Sequence, residues 1–290
     1  MDIPSDPFRG MTINLDDGRE VVLVEDHNSG RSADVWEGSL ENHRVAVKIY
    51  RPVFESSPLF IDNINRESEL KCDDERVVTP IGRGDLLLQD DRWSRVIVFP
   101  IVDGEQLSAL LESGGIEKPE DKLRLCRELV LALRSLHACG YIHGDLCPNN
   151  VIASAEYSKA SLVDMEFCLP INRERENSDW GSEEGWRGTL GYIAPEVEEF
   201  GIMASGLHSD VWGLGWTLAE ILNLPEVPTL RERDWVSARR DGGASISMLG
   251  SWISGFGPKV DEVIRRCLII NAELRPSTIE VVEMLGDYLE

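Results

Sequence analysis

Apolar and polar residues alternate along the first third of the chain. The alternation covers residues 21–50 in short runs separated by turn formers, which predicts several β-strands. Residues 59–71 have helical spacing with one polar side, which predicts a helix. Apolar runs at 77–81 and 96–99 predict two more strands. Residues 1–18 contain turn formers and little periodicity, so we expect a flexible lead-in there.

Beyond residue 103 the spacing changes to apolar residues every three or four positions, which is typical of amphipathic helices. Two apolar pairs, at 151–152 and 162–163, interrupt this pattern and predict a small β-ribbon. The sequence therefore predicts an α+β protein: a β-rich N-terminal lobe with one helix over 19–102 and a mainly helical C-terminal lobe over 103–290. The helical segments are 121–138, 208–223, 258–269 and 277–289, and Ser277 is expected to cap the last of them.

Composition and charge favour a folded protein with a packed core and argue against several kinds of binding partner. Hydrophobic residues make up 42% of the 290 residues, which is enough for a packed core. Lysine and arginine total 29 against 52 aspartates and glutamates, a formal net charge of −23, which argues against nucleic-acid and membrane-surface binding. No apolar run approaches the roughly 20 residues of a membrane span, and the N-terminus lacks the pattern of a signal peptide. We expect a cytoplasmic protein.

The segment His143–Asn150 carries the strongest chemical signal. Asp145 and Asn150 lie five residues apart in a proline-containing loop, so their side chains could converge on one site. One could accept a proton from a hydroxyl while the other binds a hard cation through oxygen. Asp164, at the end of a predicted strand, suits Mg²⁺ held by carboxylates and phosphate. Taken alone, the same loop is also compatible with a turn-capping aspartate and an asparagine in the left-handed region.

Together with other motifs, this segment resembles the eukaryotic-type protein kinase domain of the serine/threonine type, with some tyrosine-kinase-like character. The resemblance extends in order over about residues 20–289. The motifs that carry it are Val45-Ala46-Val47-Lys48, Glu67, the His143–Asn150 loop, Asp164-Met165-Glu166, Gly188–Glu196, Ser209–Gly213 and Arg275-Pro276-Ser277.

The resemblance implies a bilobal fold and a role for each matching residue. Asp145 would orient the substrate hydroxyl and accept its proton, Lys48 would hold phosphates, and Thr189 would orient Asp145. Asn150 and Asp164 would bind Mg²⁺. A structural ion pair is expected between Glu196 and Arg275. The residues that would contact ATP, or support those that do, are Asn28, Gly30, Val35, Ala46, Lys48, Glu67, Phe99, Ile101, Val102 and Gln106. Glu69 and Glu75 compete with Glu67 as the partner of Lys48.

Several positions depart from the family pattern. The glycine-rich loop keeps only its central Gly30. Gly144 replaces the arginine that usually precedes the catalytic aspartate and pairs with a phosphorylated activation segment. Cys147 replaces the lysine that contacts the transferring phosphoryl group in serine/threonine kinases. Glu166 replaces the glycine that follows the metal-binding aspartate by two residues.

The sequence predicts a Mg²⁺- and ATP-dependent kinase that phosphorylates serine or threonine hydroxyls of protein substrates. A second interpretation is a pseudokinase or weakly active nucleotide-binding regulator, which the departures at Gly144, Cys147 and Glu166 favour. A third is a small-molecule phosphotransferase of the aminoglycoside or choline kinase type, because His-Gly-Asp-Leu-x-Pro-x-Asn is typical of that group. We expect a monomer that binds neither nucleic acid nor membrane.

Overall fold

A computed structural model describes residues 8–52, 58–88, 90–172, 188–223 and 255–286. The chain forms two compact units. The first comprises Met1–Cys72 and Val78–Val102, and the second comprises Asp73–Val77 and Asp103–Glu290. This division assigns the short segment Asp73–Val77 to the second unit, whereas the apolar pattern placed it in the N-terminal lobe.

The first unit contains an antiparallel six-stranded sheet in the order β1-β2-β3-β4-β6-β5. Its single described helix, α1, covers Pro58–Glu69, close to the predicted 59–71. The alternating pattern places Val45, Val47 and Ile49 of the third long strand on one face, where they are buried in the core. The strands are β1 Thr12–Asn14, β2 Glu20–Ser29, β3 Ala33–Leu40, β4 His43–Tyr50, β5 Gly82–Leu87 and β6 Trp93–Pro100.

The prediction of a flexible lead-in over residues 1–18 is wrong for residues 12–14, which form β1 and pair with β2. Ile13 and Leu15 alternate with polar residues and are buried, 1% and 4% exposed. Three residues are too few for a recognisable period, so this strand becomes visible only through its pairing with β2.

The strand predicted at 77–81 is also wrong, because the strand lies at Gly82–Leu87. Its sequence, GRGDLL, has few apolar residues and two glycines. A β-carbon on Gly84 would lie only 2.6 Å from the Asn14 carbonyl oxygen. The glycine therefore allows the chain around Leu15 to approach β5 closely, and the two residues form a β-bridge.

Over its described residues, the second unit is mainly helical and contains two small sheets. The predicted ribbon forms from β9 Val151–Ala153 and β10 Ala160–Leu162, joined by β7 Glu105–Gln106. A second ribbon pairs β8 Tyr141–Ile142 with β11 Leu169–Pro170. The helices are α2 Leu107–Ser113, α3 Pro119–Ala138, α4 Pro195–Phe200, α5 Leu207–Ile221, α6 Pro258–Cys267 and α7 Thr278–Leu285.

The long helices follow from the apolar spacing. One stripe of α3 buries Leu125, Leu129, Leu133 and Leu136, as its period of three and four residues predicts. Ser277 caps α7 in a capping box with Glu280, which confirms the expected cap. Within the described residues, no helix combines the length and the apolar character needed to cross a bilayer. The α+β class, with one β-rich part and one mainly helical part, is confirmed.

Candidate active site

In the first unit, Lys48 on β4 pairs with Glu67 on α1. The Lys48 Nζ lies 3.0 Å from each of the two Glu67 carboxylate oxygens. Both side chains are buried, and the Glu67 carboxylate is fully withdrawn from solvent. Tyr50 donates a further hydrogen bond from its hydroxyl to Glu67 Oε2. The sequence analysis missed Tyr50, although its position two residues after Lys48 on a strand was a usable signal.

The sheet brings several predicted nucleotide-contacting residues to one face. Val35 pairs directly with Lys48, and Ala46 pairs directly with Phe99. Directly opposed residues share a face of a sheet, as do residues two apart on a strand. These four side chains therefore lie on one face, opposite the buried core face of β4. Asn28 is opposite Val35 in the β2–β3 ladder.

Gly30 lies in the short turn between β2 and β3. Its backbone N–H donates to the Ala33 carbonyl oxygen at 2.9 Å, and a β-carbon on Gly30 would lie 3.0 Å from the same oxygen. The turn is therefore tight despite the loss of the flanking glycines. Arg51 forms an ion pair of 2.8 Å with Asp34 at the start of β3.

The remaining predicted nucleotide contacts follow β6. Ile101 and Val102 are half-buried and extend the chain beyond Pro100. In the second unit, Gln106 donates from its side-chain amide to the Asn149 carbonyl oxygen at 2.5 Å, which links the start of α2 to the loop that carries Asp145. The predicted contact of Gln106 with ribose stays a prediction.

In the second unit, Asp145 is held by three donors. Asp145 Oδ1 accepts the Thr189 backbone N–H at 2.7 Å, and Oδ2 accepts the Thr189 hydroxyl at 3.2 Å. The Asn150 amide donates to Oδ2 at 3.1 Å and to the Asp145 carbonyl oxygen at 2.8 Å. The structure thus brings together Asp145, Asn150 and Thr189, which are separated by up to 44 residues.

Cys147 lies beside this cluster. Its thiol donates to the Thr189 hydroxyl oxygen at 3.4 Å, and the side chain is fully buried. Burial raises the pKa of Cys147 to about 12, and the negative charge of Asp145 adds to this shift. A neutral thiol therefore stands where the family pattern has a cationic lysine.

Burial also raises the pKa of Asp145 to about 7. The two hydrogen bonds from Thr189 oppose this shift because they stabilise the carboxylate, whereas the nearby charge of Asp164 adds to it. The Asp145 side chain is half-buried and held by hydrogen bonds, so its carboxylate is positioned to accept a proton.

Asp164 follows β10 and adopts the left-handed conformation, with φ 59° and ψ 68°. Aspartate tolerates this conformation better than most residues. The neighbouring Val163 N–H donates to the Asn150 carbonyl oxygen at 3.0 Å, which places Asp164 next to Asn150 in the fold. Both residues offer oxygen ligands, and a carboxylate with an amide oxygen suits Mg²⁺ that keeps waters and phosphate as its other ligands. The donor set fits the predicted ion.

Asp210 on α5 binds the backbone of the loop that carries Asp145. Its carboxylate accepts the backbone N–H groups of His143 and Gly144 at 2.7 and 2.9 Å. The His137 ring nitrogen Nε2 lies 2.9 Å from the same carboxylate. The sequence analysis did not predict this contact. His143 is fully buried, and burial lowers the pKa of its imidazole.

The expected pair between Glu196 and Arg275 is present. Two guanidinium nitrogens of Arg275 contact the two carboxylate oxygens of Glu196 at 2.7 and 2.8 Å. Arg275 also donates to three backbone carbonyls, at His208, Ile269 and Ile270. This bidentate pair anchors α4, which follows the Thr189 segment directly.

Comparison with known proteins agrees with this geometry. The family model described as "Protein kinase domain" matches residues 24–285. The human serine/threonine-protein kinase Nek10 is 30% identical over 211 residues, which are 70% of this chain and 16% of that protein. A probable cell division protein kinase of Encephalitozoon cuniculi is 28% identical over 65% of this chain and 69% of its own length. Serine/threonine-protein kinase PknA of Mycobacterium tuberculosis is 26% identical over 64% of this chain and 43% of its own length.

The chain thus spans less than half the length of two of these three relatives. The matched region includes every motif from the Lys48 strand to Arg275. With its Lys48–Glu67 pair, its Asp145 cluster and this match over most of its length, the chain belongs to the protein kinase family.

Proposed function

We propose that this chain is a Mg²⁺- and ATP-dependent protein kinase that transfers the γ-phosphoryl group of ATP to a serine or threonine hydroxyl of a protein. The observation that carries the proposal is the arrangement at Asp145, whose two oxygens are held by Thr189 and Asn150. A threonine that hydrogen-bonds to this aspartate supports a serine/threonine acceptor, and the relatives named above are serine/threonine or cell division kinases.

Asp145 acts on the acceptor hydroxyl. Among the described residues, Oδ1 accepts only one hydrogen bond, from the Thr189 N–H, so a lone pair remains for the substrate hydroxyl. Oδ2 accepts two hydrogen bonds, which fix the plane of the carboxylate. Holding a reacting group in orientation removes a large entropic part of the barrier. Asp145 therefore orients the hydroxyl and takes its proton at Oδ1.

Asn150 and Asp164 would hold Mg²⁺ through their side-chain oxygens, and Lys48, kept in place by Glu67, would hold phosphate oxygens of ATP. When bound, Mg²⁺ supplies positive charge that offsets the charge developing on the transferring group. Because Cys147 is neutral and buried, the described loop itself adds no cation. We therefore expect turnover below that of kinases that carry the lysine, since one electrostatic donor is worth about 3 kcal/mol.

The decisive experiment is incubation of the purified chain with labelled ATP, Mg²⁺ and generic basic protein substrates. Wild type should transfer label to serine or threonine, whereas Asp145→Asn and Asp164→Asn should each reduce transfer by at least about a hundredfold. Asp85→Asn, a surface change that disrupts an exposed pair with Arg95, is the matched control and should retain full activity. Equal transfer by wild type and Asp145→Asn contradicts the proposed role.

Two other functions compete with this proposal. The buried, neutral Cys147 favours a pseudokinase or weakly active regulator, which would bind nucleotide with little or no transfer to protein. The intact Glu196–Arg275 pair and the match to protein kinases argue against a small-molecule phosphotransferase. Adding choline and an aminoglycoside as separate substrates in the same assay distinguishes all three. A cytoplasmic location, a monomeric state and the absence of nucleic-acid binding stay predictions from the sequence.

A further inference from the structure

Tyr50, the last residue of β4, completes a buried cluster with Lys48 and Glu67. Its hydroxyl donates to Glu67 Oε2, an oxygen that also lies 3.0 Å from Lys48 Nζ. The same ammonium lies 5.0 Å from the centre of the Tyr50 ring, within the range of a cation–π contact. One anion is therefore held by a cation and a phenol that also contact each other.

Strand geometry explains why these two donors reach the same carboxylate. Lys48 and Tyr50 are two residues apart, so their side chains leave the same face of β4. Tyr50 is fully buried and packs with Ile64 of α1 and Ile97 of β6. The Phe60 ring of α1 meets it edge-on, with centroids 5.7 Å apart. Packing thus leaves the phenol in one position, with its hydroxyl directed at Glu67.

The cost of burying the Glu67 carboxylate explains why it needs the Tyr50 hydroxyl as a second donor beside Lys48. A carboxylate with no solvent exposure loses its hydration, and that loss is offset only by strong hydrogen bonds to the charged group. Under the proposed function, Lys48 must also interact with phosphate, which draws its ammonium toward a second anion. Tyr50 carries no charge and is not drawn toward phosphate in this way, so its hydrogen bond holds the Glu67 carboxylate while Lys48 serves both anions.

We propose that Tyr50 is a positioning residue that fixes Glu67, and through it Lys48, for the phosphates of ATP. The role rests on the proposed function, because it concerns the same nucleotide site. Tyr50 touches neither reacting group and acts only through Glu67 and Lys48. Its removal should therefore weaken the recognition of phosphates while leaving the recognition of adenosine unchanged.

The test is the affinity of the full chain for Mg²⁺-ATP and for adenosine, measured by calorimetry in wild type and Tyr50→Phe. Because a hydrogen bond to a charged group is lost, the ratio of the affinity for Mg²⁺-ATP to that for adenosine should fall by about tenfold. The whole change should come from weaker binding of ATP. In a Glu67→Gln background, the same change should reduce the ratio by less than about twofold, because its effect passes through Glu67. The matched control is Tyr157→Phe, which removes a hydroxyl that donates to the exposed Gly115 carbonyl oxygen at 3.1 Å.

An unchanged affinity ratio in Tyr50→Phe overturns the proposal, and so does an effect of equal size in the Glu67→Gln background. Loss of folding in Tyr50→Phe, seen by circular dichroism, also overturns it, since the hydroxyl would then serve only stability. The proposed function fails separately: a wild type that binds ATP but transfers no phosphoryl group contradicts the kinase activity, while the affinity ratio still tests Tyr50. A wild type that binds neither ligand contradicts both.

Discussion

The carbonyl oxygen of Phe167 lies 2.5 Å from the position that a β-carbon on Gly144 would occupy. Gly144 also has φ 78°, in the left-handed region that side chains other than glycine rarely adopt. The glycine that replaces the usual arginine is thus required by the local packing. In this conformation the loop has no room for a side chain at position 144. The backbone of the loop therefore fits the glycine and not the arginine of the family pattern.

Substitution of Gly144 by alanine should therefore destabilise the fold. The left-handed conformation alone costs roughly 1–2 kcal/mol for a residue with a β-carbon, and the contact with Phe167 adds to this. The control is Gly140→Ala, because Gly140 has φ 89° but a β-carbon at that position would have nothing within 4 Å. Urea unfolding should show a larger loss for Gly144→Ala than for Gly140→Ala. Equal losses would show that the loop relaxes around the methyl group.

Activity should not depend on phosphorylation of the activation segment, since Gly144 offers no charge to pair with a phosphate. Two serines between Asp164 and Glu196, Ser178 and Ser182, are candidate phosphorylation sites, and both lie outside the described residues. A variant with alanine at both should keep its rate within about tenfold of wild type, roughly 1.4 kcal/mol. A larger drop would show that another basic group, such as Arg173 or Arg187, which also lie outside the described residues, takes the arginine's role.

Thr189→Val should lower kcat on protein substrates by about tenfold to a hundredfold and leave ATP binding nearly unchanged. The substitution removes the hydroxyl that donates to Asp145 Oδ2 at 3.2 Å but keeps the backbone N–H that donates to Oδ1. Thr189→Ser retains the hydroxyl and is the matched variant that should keep most of the activity. Steady-state kinetics decide, and full activity in Thr189→Val would mean that the residue only shapes the turn.

Arg275→Ala should be strongly destabilising, by about 3 kcal/mol or more, because it leaves Glu196 and three carbonyl groups without their donor. Adding Glu196→Gln to Arg275→Ala removes the unpaired charge and should recover part of the loss. Chemical unfolding of Arg275→Ala, Glu196→Gln and the double variant measures this coupling. Additive losses in the double variant would show that the carbonyl contacts, rather than the charge pair, dominate.

The contribution of His143 to stability should fall as the pH falls below about 6.5. Burial lowers the pKa of this imidazole in the folded chain, so the unfolded chain binds the proton first. Stability from this group is present above the unfolded value and is lost as the pH falls toward the folded value, at up to about 1.4 kcal/mol per pH unit. The free energy of unfolding should be measured between pH 7.5 and 5, a range set by the ~6.5 reference pKa. Over this range His143→Gln should lose less stability than wild type, and equal losses would contradict the assignment.

The sequence determined the order of the functional residues and the type of most elements. The period of the long helices and of β2 to β4 is strong because each buries a continuous apolar face, so the α+β class could be predicted. Lys48, Asp145, Asn150, Asp164 and Arg275 could be singled out because each stands in a short motif that resembles the protein kinase pattern.

Only the tertiary structure decided contacts between residues far apart in the chain. Three glutamates competed as the partner of Lys48; Glu67 is buried against it, whereas the side chains of Glu69 and Glu75 are 71% and 82% exposed. The phase of α1 against the sheet decides between Glu67 and Glu69, and that phase depends on packing rather than on spacing, whereas Glu75 lies outside this helix. The contact of Tyr50 with Glu67 and the close approach of Gly144 to Phe167 were likewise decided by the tertiary structure. Each joins two segments whose contact depends on how both surfaces pack, and neither segment alone encodes that packing.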